Sequence, residues 1–300
     1  MKAGLLRYGE GPDHLMSDRF GAVGGFPPRT GNRKATGYVV PMSETTARAD
    51  PIEQATHLVD HAERVLVLSG AGISTDSGIP DFRGPKGVWT RNPGAEKLSS
   101  IEHYLADPEV RVRAWQARID NPAWGAIPNR GHDAVRHLER RKKLLLLVTQ
   151  NVDGLHHDSG VDPDRIVEIH GTMREVVCLS CGAREPAGPT LERIRSGDRD
   201  PHCRMCGDGI LKSATISFGQ NLIERDLDRS FAAAMDADLV IAVGTNLSVY
   251  PVAGIVPAAK DAGARVVIVN GTETDMDPLA DVIVRGSISE MLPKICGGPA

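Results

Sequence analysis

The sequence predicts an α/β fold in which helices cover both faces of a parallel sheet. Short runs of valine, isoleucine and leucine recur along the chain, and helical segments separate several of them. Apolar strands that alternate with helices in this way are typical of a parallel sheet buried on both faces. A glycine or a polar residue closes almost every run. Because ligands of such sheets bind beyond the carboxyl ends of the strands, we expect a binding site there.

Six runs are predicted to form the sheet, and three other segments are predicted to be helices. The strands are expected at residues 64–69, 143–150, 165–170, 237–244, 264–270 and 281–286. The helices are expected at residues 131–141, 224–237 and 251–263. A first helix should begin at Asp50, because "DPIE" supplies a capping aspartate, a proline at the first helical position and Glu53 for a capping box. The residues at the strand ends are Gly70, Gln150, His170, Gly244, Asn270 and Gly286.

The composition indicates a globular protein without a membrane or nucleic-acid partner. The chain has 300 residues, of which 41% are hydrophobic. Its net charge of −4 gives no indication of a basic surface that would bind a nucleic-acid backbone. No apolar run approaches the roughly 18 residues that span a bilayer, and the N-terminus lacks the apolar core of a secretory signal. We therefore expect a cytoplasmic protein whose five cysteines are metal ligands or thiols.

The N-terminal segment differs in composition from the rest of the chain. Its first 41 residues contain glycines, prolines and isolated charges without a period of 2 or 3.6. Such a segment cannot bury enough apolar surface to fold, and we predict a disordered tail over residues 1–50. Ordered structure is then expected from residue 51 onward.

Four cysteines form two Cys-x-x-Cys pairs separated by 21 residues: Cys178 with Cys181, and Cys203 with Cys206. Each pair can turn both sulfurs toward one ion, and two pairs complete a tetrahedral zinc site. Four thiolates leave no position open for water, so we expect one structural zinc ion. Two redox dithiols are the alternative interpretation.

The stretch "VLVLSGAGIS" predicts a strand followed by a phosphate cradle at Gly70 and Gly72, where backbone N–H groups would face a pyrophosphate. The cradle lacks the fingerprint of hydride-transfer enzymes, because Thr75 replaces the third glycine and no acidic residue closes a second strand. The sequence therefore predicts a dinucleotide site with a different chemistry.

A long loop over residues 79–100 follows the cradle and contains Asp81, Phe82, Arg83 and Trp89. Long loops beside a ligand site are usually functional, and an aromatic side chain there could shield a reactive centre from water. In the alternative interpretation, Phe82 and Trp89 merely anchor the loop.

Polar side chains follow the second and third predicted strands. Gln150, Asn151 and Asp153 offer amide groups and a carboxylate that suit a carboxamide and a developing cation. They could instead be turn formers or helix caps. His170 ends the next strand at the same edge, and its reference pKa of about 6.5 suits a general base. A lone histidine is more often structural, but its position beside this cluster favours the catalytic interpretation.

With "GAGISTDSGIPDFRG", "TQNVDGLH", "EIHG", the cysteine pairs and "GTNLSVYP" in this order, the chain resembles the sirtuins, which are NAD-dependent protein lysine deacylases. The resemblance covers about residues 51–295. It implies a Rossmann-type doubly wound sheet formed by residues 51–170 and 212–300, with a small zinc-ribbon domain inserted at residues 171–211. It also implies that NAD is consumed: nicotinamide leaves, and the oxygen of an acyl-lysine captures the ribose carbon.

The resemblance implies a role for the residues of each motif. His170 would deprotonate a ribose hydroxyl as general base, and Asn151 and Asp153 would complete the catalytic site. Gln150 would help to hold nicotinamide and its ribose, and Phe82 would shield the intermediate. The further NAD-binding residues implied are Gly70, Ala71, Gly72, Asp81, Arg83, Trp89, Gly244, Thr245, Asn246, Asn270 and Ser287.

Departures from the family pattern bear on specificity. Asn246 stands where the family commonly has serine, and "LKSATISFGQ" departs from the usual pattern but keeps Phe218 for the acyl-lysine channel. Members that remove succinyl groups carry Tyr-x-x-Arg, and here Trp115 and Arg118 take those positions. We expect a deacetylase of acetylated protein lysines with at most weak desuccinylase activity. Trp115 and Arg118 could alternatively pack a helix against the loop.

Three other functions share parts of this pattern. Protein mono-ADP-ribosyl transfer would use the same NAD residues. A zinc-ribbon adaptor that only senses NAD is disfavoured by the presence of His170, Asn151 and Asp153 together. Hydride transfer is disfavoured by Thr75 and by the missing acidic residue.

Overall fold

The computed structural model describes residues 50–82, 84, 87–91 and 99–298. The predicted tail over residues 1–50 therefore lies outside the described residues, except for Asp50. Arg83 and the side chain of Trp89 also lie outside them. Within the described part of the chain, no helix combines the length and the apolar character that crossing a bilayer requires.

The strands follow the predicted runs closely and add a second group in the middle of the chain. In chain order they are β1 (Val65–Ser69), β2 (Leu144–Thr149), β3 (Ile166–Glu168), β4 (Gly171–Cys178), β5 (Arg184–Pro186), β6 (Leu211–Thr215), β7 (Leu239–Val243), β8 (Arg265–Val269) and β9 (Val282–Val284).

The α-helices occupy most of the segments between the strands. They are α1 (Pro51–His61), α2 (Val88–Arg91), α3 (Ile101–Ala106), α4 (Pro108–Ile119), α5 (Arg130–Arg140), α6 (Leu155–Asp158), α7 (Ala187–Arg195), α8 (Glu224–Asp236), α9 (Ile255–Asp261) and α10 (Ile288–Cys296). Short 3₁₀ helices cover Ala71–Ser77, Pro122–Gly125, Pro163–Arg165, Val252–Gly254 and Asp277–Leu279.

Six strands form a large sheet in the order β3-β2-β1-β7-β8-β9, and every neighbouring pair is parallel. This is the Rossmann-type order, in which the chain leaves the centre of the sheet in one direction and later continues in the other. All six predicted runs contribute to this sheet. The fold class predicted from the sequence is confirmed.

Helices cover both faces of the large sheet, as the burial of β1 illustrates. Val65 and Val67 belong to one hydrophobic core with buried residues of α1, α5 and α10. Leu66 and Leu68, which point to the opposite face, belong to a second core with α8 and α9. Successive side chains of a strand point to opposite faces, so an uninterrupted apolar strand is needed to supply both cores.

The helix starts agree with the capping chemistry in the sequence. Asp50 caps α1, because its carboxylate accepts a hydrogen bond of 3.0 Å from the backbone N–H of Ile52. Asn129 caps α5 in a capping box whose third helical residue is His132. The segment after Gly70 forms a 3₁₀ helix, Ala71–Ser77, which Gly78 caps in the left-handed conformation.

The remaining strands form a small antiparallel sheet in the order β5-β4-β6. Its core is a compact cluster that joins Trp115 of α4 to residues of α7 and the sheet. The chain passes from β3 to this sheet through His170 and leaves it through β6. The predicted domain boundaries at residues 171 and 212 thus fall at the start of β4 and within β6. The division into two domains itself stays a prediction.

Candidate active site

A cavity of about 1380 Å³ opens where the parallel strands of the large sheet end. Pockets for drug-sized ligands usually measure about 300–1,000 Å³, so this cavity has room for a dinucleotide and part of a second molecule. The predicted site residues that line it are Gly70, Ala71, Gly72, Asp81, Phe82, Trp115, Arg118, Gln150, Asn151, Asp153, His170, Phe218, Gly244, Thr245, Asn246, Asn270 and Ser287.

Glycines allow the loops after β1 and β7 to touch. A Cβ atom added to Gly70 would lie 2.7 Å from the carbonyl oxygen of Gly244, and one added to Gly72 would lie 2.7 Å from the Gly244 Cα. Gly244 itself has φ +63°, a conformation that favours glycine. The Gly72 N–H donates to the Gly244 carbonyl oxygen at 2.8 Å. The prediction that this N–H faces a phosphate is therefore wrong, because it joins the two loops.

Gln150 strengthens the same junction from the neighbouring strand. Its Nε2 donates to the Thr245 Oγ1 at 2.9 Å, and its backbone N–H donates to the Ser69 carbonyl oxygen at 2.9 Å. Thr245 is buried. The ends of β1, β2 and β7 are thus joined by polar contacts as well as by the sheet.

Asn151 and Asp153 are buried and share Ser74 as a partner. Asn151 Nδ2 donates to the Gly70 carbonyl oxygen at 3.2 Å and to the Ser74 Oγ at 3.1 Å. The Ser74 hydroxyl donates to Asp153 Oδ2 at 2.8 Å, and the Leu155 N–H donates to Asp153 Oδ1 at 2.9 Å. Both side chains are held in one orientation before any ligand arrives, which is the preorganisation that an active site needs.

Two buried histidines lie behind this cluster. His132 Nδ1 accepts from the Asn129 backbone N–H at 3.2 Å, and its Nε2 lies 3.5 Å from the Ser74 Oγ. Burial lowers the pKa of His132 to about 4, so the ring is neutral at physiological pH. The His156 ring lies 4.9 Å from the His132 ring, and its Nε2 lies 3.0 Å from the Ser69 Oγ. These contacts make both rings part of the buried support of the site.

His170 lies on the cavity with one ring nitrogen occupied. Its Nδ1 donates to the Gln150 carbonyl oxygen at 3.1 Å. This bond leaves the lone pair of the neutral ring on Nε2, where it can accept a proton. Burial lowers the pKa of His170, and the bond to the Gln150 carbonyl opposes that shift. The neutral form that a general base requires is therefore favoured.

The aromatic candidates and the adenosine candidates all belong to the cavity lining. Phe82 and Phe218 are each 44% exposed, so both present ring surface at the opening. Asn270 is buried, and its Nδ2 donates to the Thr272 carbonyl oxygen at 3.0 Å. The Ser287 hydroxyl donates to Asp76 Oδ2 at 3.1 Å and connects the β9 turn to the loop after β1.

Two basic side chains lie at the end of the cavity near α4. Among the described residues, no carboxylate pairs with the guanidinium of Arg118 or with the ammonium of Lys212. Lys212 Nζ donates to the Ser213 carbonyl oxygen at 3.1 Å, and burial together with the charge of Arg118 lowers the pKa of Lys212 to about 8. Burial also lowers the pKa of Arg118. Trp115 is only 2% exposed, and its Nε1 is without a partner among the described residues.

The four predicted zinc ligands come together at the tip of the small sheet. Their Sγ atoms all lie within 4.8 Å of one another. The Cys178 and Cys206 sulfurs are 3.7 Å apart, and the Cys181 and Cys203 sulfurs are 3.8 Å apart. A tetrahedral ion with Zn–S bonds of about 2.3 Å places sulfurs about 3.8 Å apart. The donor set therefore fits one structural zinc ion that all four cysteines would hold.

Sequence reasoning overlooked several residues that organise the site. Ser74 follows the cradle and contacts both Asn151 and Asp153, but a serine in "GAGIS" carries no distinct signal. His132 could have been noticed as the third residue after the capping Asn129. Lys212 was not singled out, because a lysine in a strand gives no indication that it is buried.

The chain is similar to known proteins over most of its described length. The model of the Sir2 family matches residues 70–251. NAD-dependent protein deacetylase 2 of Streptomyces coelicolor is 48% identical over 234 residues, which cover 78% of this chain and 97% of the relative. NAD-dependent protein deacetylase 1 of Bradyrhizobium diazoefficiens is 37% identical, with coverage of 82% and 95%.

Solved structures of Sir2 proteins are also similar to this chain. A Sir2 enzyme structure has a TM-score of 0.75 and 35% identity, and it covers 82% of this chain and 96% of its own. A complex of a Sir2 homologue with ADP ribose has a TM-score of 0.73 and 30% identity, with coverage of 82% and 95%. The family model, the relatives and the fold lead to one conclusion: this chain belongs to the Sir2 family, the sirtuins.

Proposed function

We propose that the protein is an NAD-dependent protein lysine deacetylase that converts NAD and an acetylated lysine into nicotinamide, lysine and O-acetyl-ADP-ribose. Relatives that carry the name NAD-dependent protein deacetylase support the activity. The observation that carries the proposal is His170, whose ring is oriented by the Gln150 carbonyl and lies on the same cavity as Asn151 and Asp153.

His170 acts as the general base in this proposal. Its Nδ1–H is occupied by the Gln150 carbonyl, so Nε2 accepts the proton of a ribose hydroxyl. The lowered pKa of the ring keeps Nε2 unprotonated near neutral pH. A base of this kind typically contributes 10²- to 10⁴-fold to the rate.

Asn151 and Asp153 hold the nicotinamide end of the substrate. When bound, NAD supplies an electrophilic ribose carbon with nicotinamide as the leaving group. In this proposal the Asp153 carboxylate, which Ser74 and Leu155 hold in place, stabilises the positive charge that develops on the ribose. Asn151 Nδ2 is committed to Gly70 and Ser74, so its Oδ1 is the atom that remains to accept a hydrogen bond from a carboxamide.

The loop after β1 and the two phenylalanines exclude water and admit the acyl-lysine. Phe82 covers the cavity beside Asp81, and Phe218 contributes the apolar surface that an acyl-lysine side chain would slide along. Arg83 and Trp89 remain proposed NAD-binding residues on the sequence pattern alone. Thr245, Asn246, Asn270 and Ser287 are proposed to meet the phosphates and the adenosine.

The partners of this reaction are acetylated proteins, and we place it in the cytoplasm. None of the five cysteines forms a disulfide, which fits a reducing compartment. The four-cysteine zinc site has no open position and none of its ligands lines the cavity, so its role is structural.

The decisive experiment mixes the protein with NAD and a peptide that carries one acetyl-lysine. We expect nicotinamide, the deacetylated peptide and O-acetyl-ADP-ribose in equal amounts by mass spectrometry. A peptide that keeps its acetyl group and gains ADP-ribose would identify a transferase. NAD binding without any product would identify a sensor, and an absorbance change from NADH would identify an oxidoreductase.

A further inference from the structure

The segment of residues 150–153 is held along its main chain by the beginning of β4 and the residue before it. The Gln150 carbonyl oxygen accepts from His170 Nδ1 at 3.1 Å, and the Val152 carbonyl oxygen accepts from the Met173 N–H at 2.9 Å. The first contact also orients the ring of the proposed base. Together, the two bonds attach the segment to the strand that continues to the zinc ligand at position 178.

Arg174 makes the third contact of this series through its side chain. Its Nε donates to the Asp153 carbonyl oxygen at 3.1 Å. Its Nη1 donates to Asp158 Oδ1 at 2.8 Å, and its Nη2 donates to Asp158 Oδ2. One planar guanidinium therefore binds both Asp153, two residues before α6, and Asp158, the last residue of α6.

The backbone is shaped to let Arg174 reach this position. Gly154 lies between Asp153 and α6 with φ +75°, and a Cβ atom added to it would lie 2.1 Å from Arg174 Nε. A side chain at position 154 would therefore displace the guanidinium. The glycine leaves the space that the guanidinium crosses on its way to the Asp153 carbonyl.

We propose that Arg174 is a positioning residue for NAD binding. Arg174 binds the main-chain carbonyl of Asp153. This contact fixes the peptide group of Asp153 and so holds its carboxylate toward the Ser74 hydroxyl and the cavity. Arg174 is not part of the cavity lining, so it acts through Asp153 rather than on the substrate. This inference rests on the proposed function, in which Asp153 meets the nicotinamide half of NAD.

A second arginine–carboxylate pair, which joins β5 to β4, has a similar exposure but does not reach the segment of residues 150–153. Arg184 of β5 donates to Glu175 Oε2 of β4 through Nε at 2.9 Å and Nη2 at 2.7 Å. The side-chain exposures of this pair, 47% and 44%, resemble those of Arg174 and Asp158, 40% and 37%. Among the described residues, Arg184 has no hydrogen bond to the segment of residues 150–153. Arg184→Met is therefore a matched control for Arg174→Met.

The experiment compares the binding of NAD and of ADP to the full-length wild type, R174M and R184M by calorimetry. ADP reaches only the adenosine and phosphate part of the site. We expect R174M to raise the Kd for NAD about tenfold, because Asp153 would then occupy its binding orientation only about a tenth of the time, and to leave the Kd for ADP within twofold. R184M should leave both constants within twofold. Zinc content and Tm are measured for every variant.

Steady-state kinetics give a second measurement on the same proteins. R174M should raise the KM for NAD about tenfold with an unchanged KM for the acetylated peptide. R174K, which keeps the charge but cannot donate in two directions from one plane, should restore less than half of the lost affinity for NAD.

The outcomes separate this inference from the proposed function. A Kd for NAD in R174M less than threefold above that in R184M, or an equal loss of ADP affinity, would overturn the role of Arg174. Full recovery in R174K would overturn it as well. If the wild type releases no nicotinamide in the presence of NAD and an acetylated peptide, the proposed function fails first, and this inference fails with it.

Discussion

The two sheets of this protein are stabilised in different ways. Among the described residues, the large sheet contributes to two cores of 24 and 21 buried residues, one on each face. The core at the small sheet contains seven residues, of which two are the zinc ligands Cys178 and Cys203. A core of that size removes little apolar surface from water, so we expect zinc ligation to contribute much of the stability of this region.

Glycine also has a different use in the two regions. Gly70, Gly72 and Gly244 at the large sheet leave no space for a Cβ atom, because two loops pass in contact. Gly182 and Gly197 of the small-sheet region have positive φ values, but nothing lies within 4 Å of an added Cβ atom. In the first region glycine permits close packing at a ligand site, and at these two positions of the second region it only permits turns.

The largest effect is expected from removing a zinc ligand. Cys203→Ser should reduce bound zinc to a small fraction of one equivalent and abolish deacetylation. The reason is that the small sheet, whose core is small, should not stay folded without its metal. Metal analysis and far-UV circular dichroism measure this directly. The matched control is Cys296→Ser, a cysteine outside the cluster, which should keep its zinc. A wild-type protein with less than about half an equivalent of zinc and an intact fold would contradict the closed site.

His170→Ala should reduce kcat at least about 100-fold and leave the Kd for NAD within a few-fold, since a general base acts after the substrate is bound. Stopped assays of nicotinamide release measure the first value and calorimetry measures the second. A variant that keeps more than about a tenth of the wild-type turnover would contradict the assignment.

The pH dependence of kcat/KM gives an independent test of His170 as the general base. Burial lowers the pKa of His170, so its neutral form persists below the ordinary value of about 6.5. The acid limb of kcat/KM should therefore have its midpoint below about pH 6.5, with activity lost as the ring is protonated. A midpoint above pH 7 would indicate that the group is stabilised in its charged form.

A smaller effect, on stability, would sharpen the comparison of the glycines. Gly244→Ala should lower the free energy of unfolding by about 2 to 5 kcal/mol, because its Cβ would lie 2.5 Å from the Ile73 backbone nitrogen at a strained φ. Gly197→Ala, with a positive φ but open space, should cost about 1 to 2 kcal/mol. Urea titrations of both variants measure the difference. Equal costs would show that close packing at Gly244 contributes nothing.

The smallest expected effect is on the choice between acetyl-lysine and succinyl-lysine substrates. We expect the wild type to have a lower kcat/KM for a succinyl-lysine peptide than for the acetyl-lysine peptide of the same sequence. Arg118→Met should lower the residual succinyl activity about tenfold, the value of one charge-assisted hydrogen bond, and leave acetyl activity within threefold. Arg113→Met, an exposed arginine of the same helix, is the control. Succinyl turnover equal to acetyl turnover in the wild type would contradict the expected preference.

Much of the fold was predictable, because strands buried on both faces are nearly continuous apolar runs. Each of the six predicted strands overlaps one of β1, β2, β3, β7, β8 and β9 to within two residues at either end. The antiparallel strands of the small sheet were not predicted, since β5 is exposed and polar and β6 begins with "LKSAT". Their pairing depends on contacts across the inserted segment and leaves no periodic signal in the sequence.

The sequence alone determined the chemistry that is available at the site. The spacing of four cysteines specified a zinc site. The glycine and polar residues at the strand ends, among them Gln150, His170 and Gly244, had to meet at one edge because the strands are parallel. The tertiary structure alone decided which polar atoms remain free. The Gly72 N–H is consumed by the Gly244 carbonyl, and Arg174 reaches the Asp153 carbonyl from a separate strand. Such pairings depend on distances of a few ångströms between segments far apart in the chain, and no local pattern of residues encodes them.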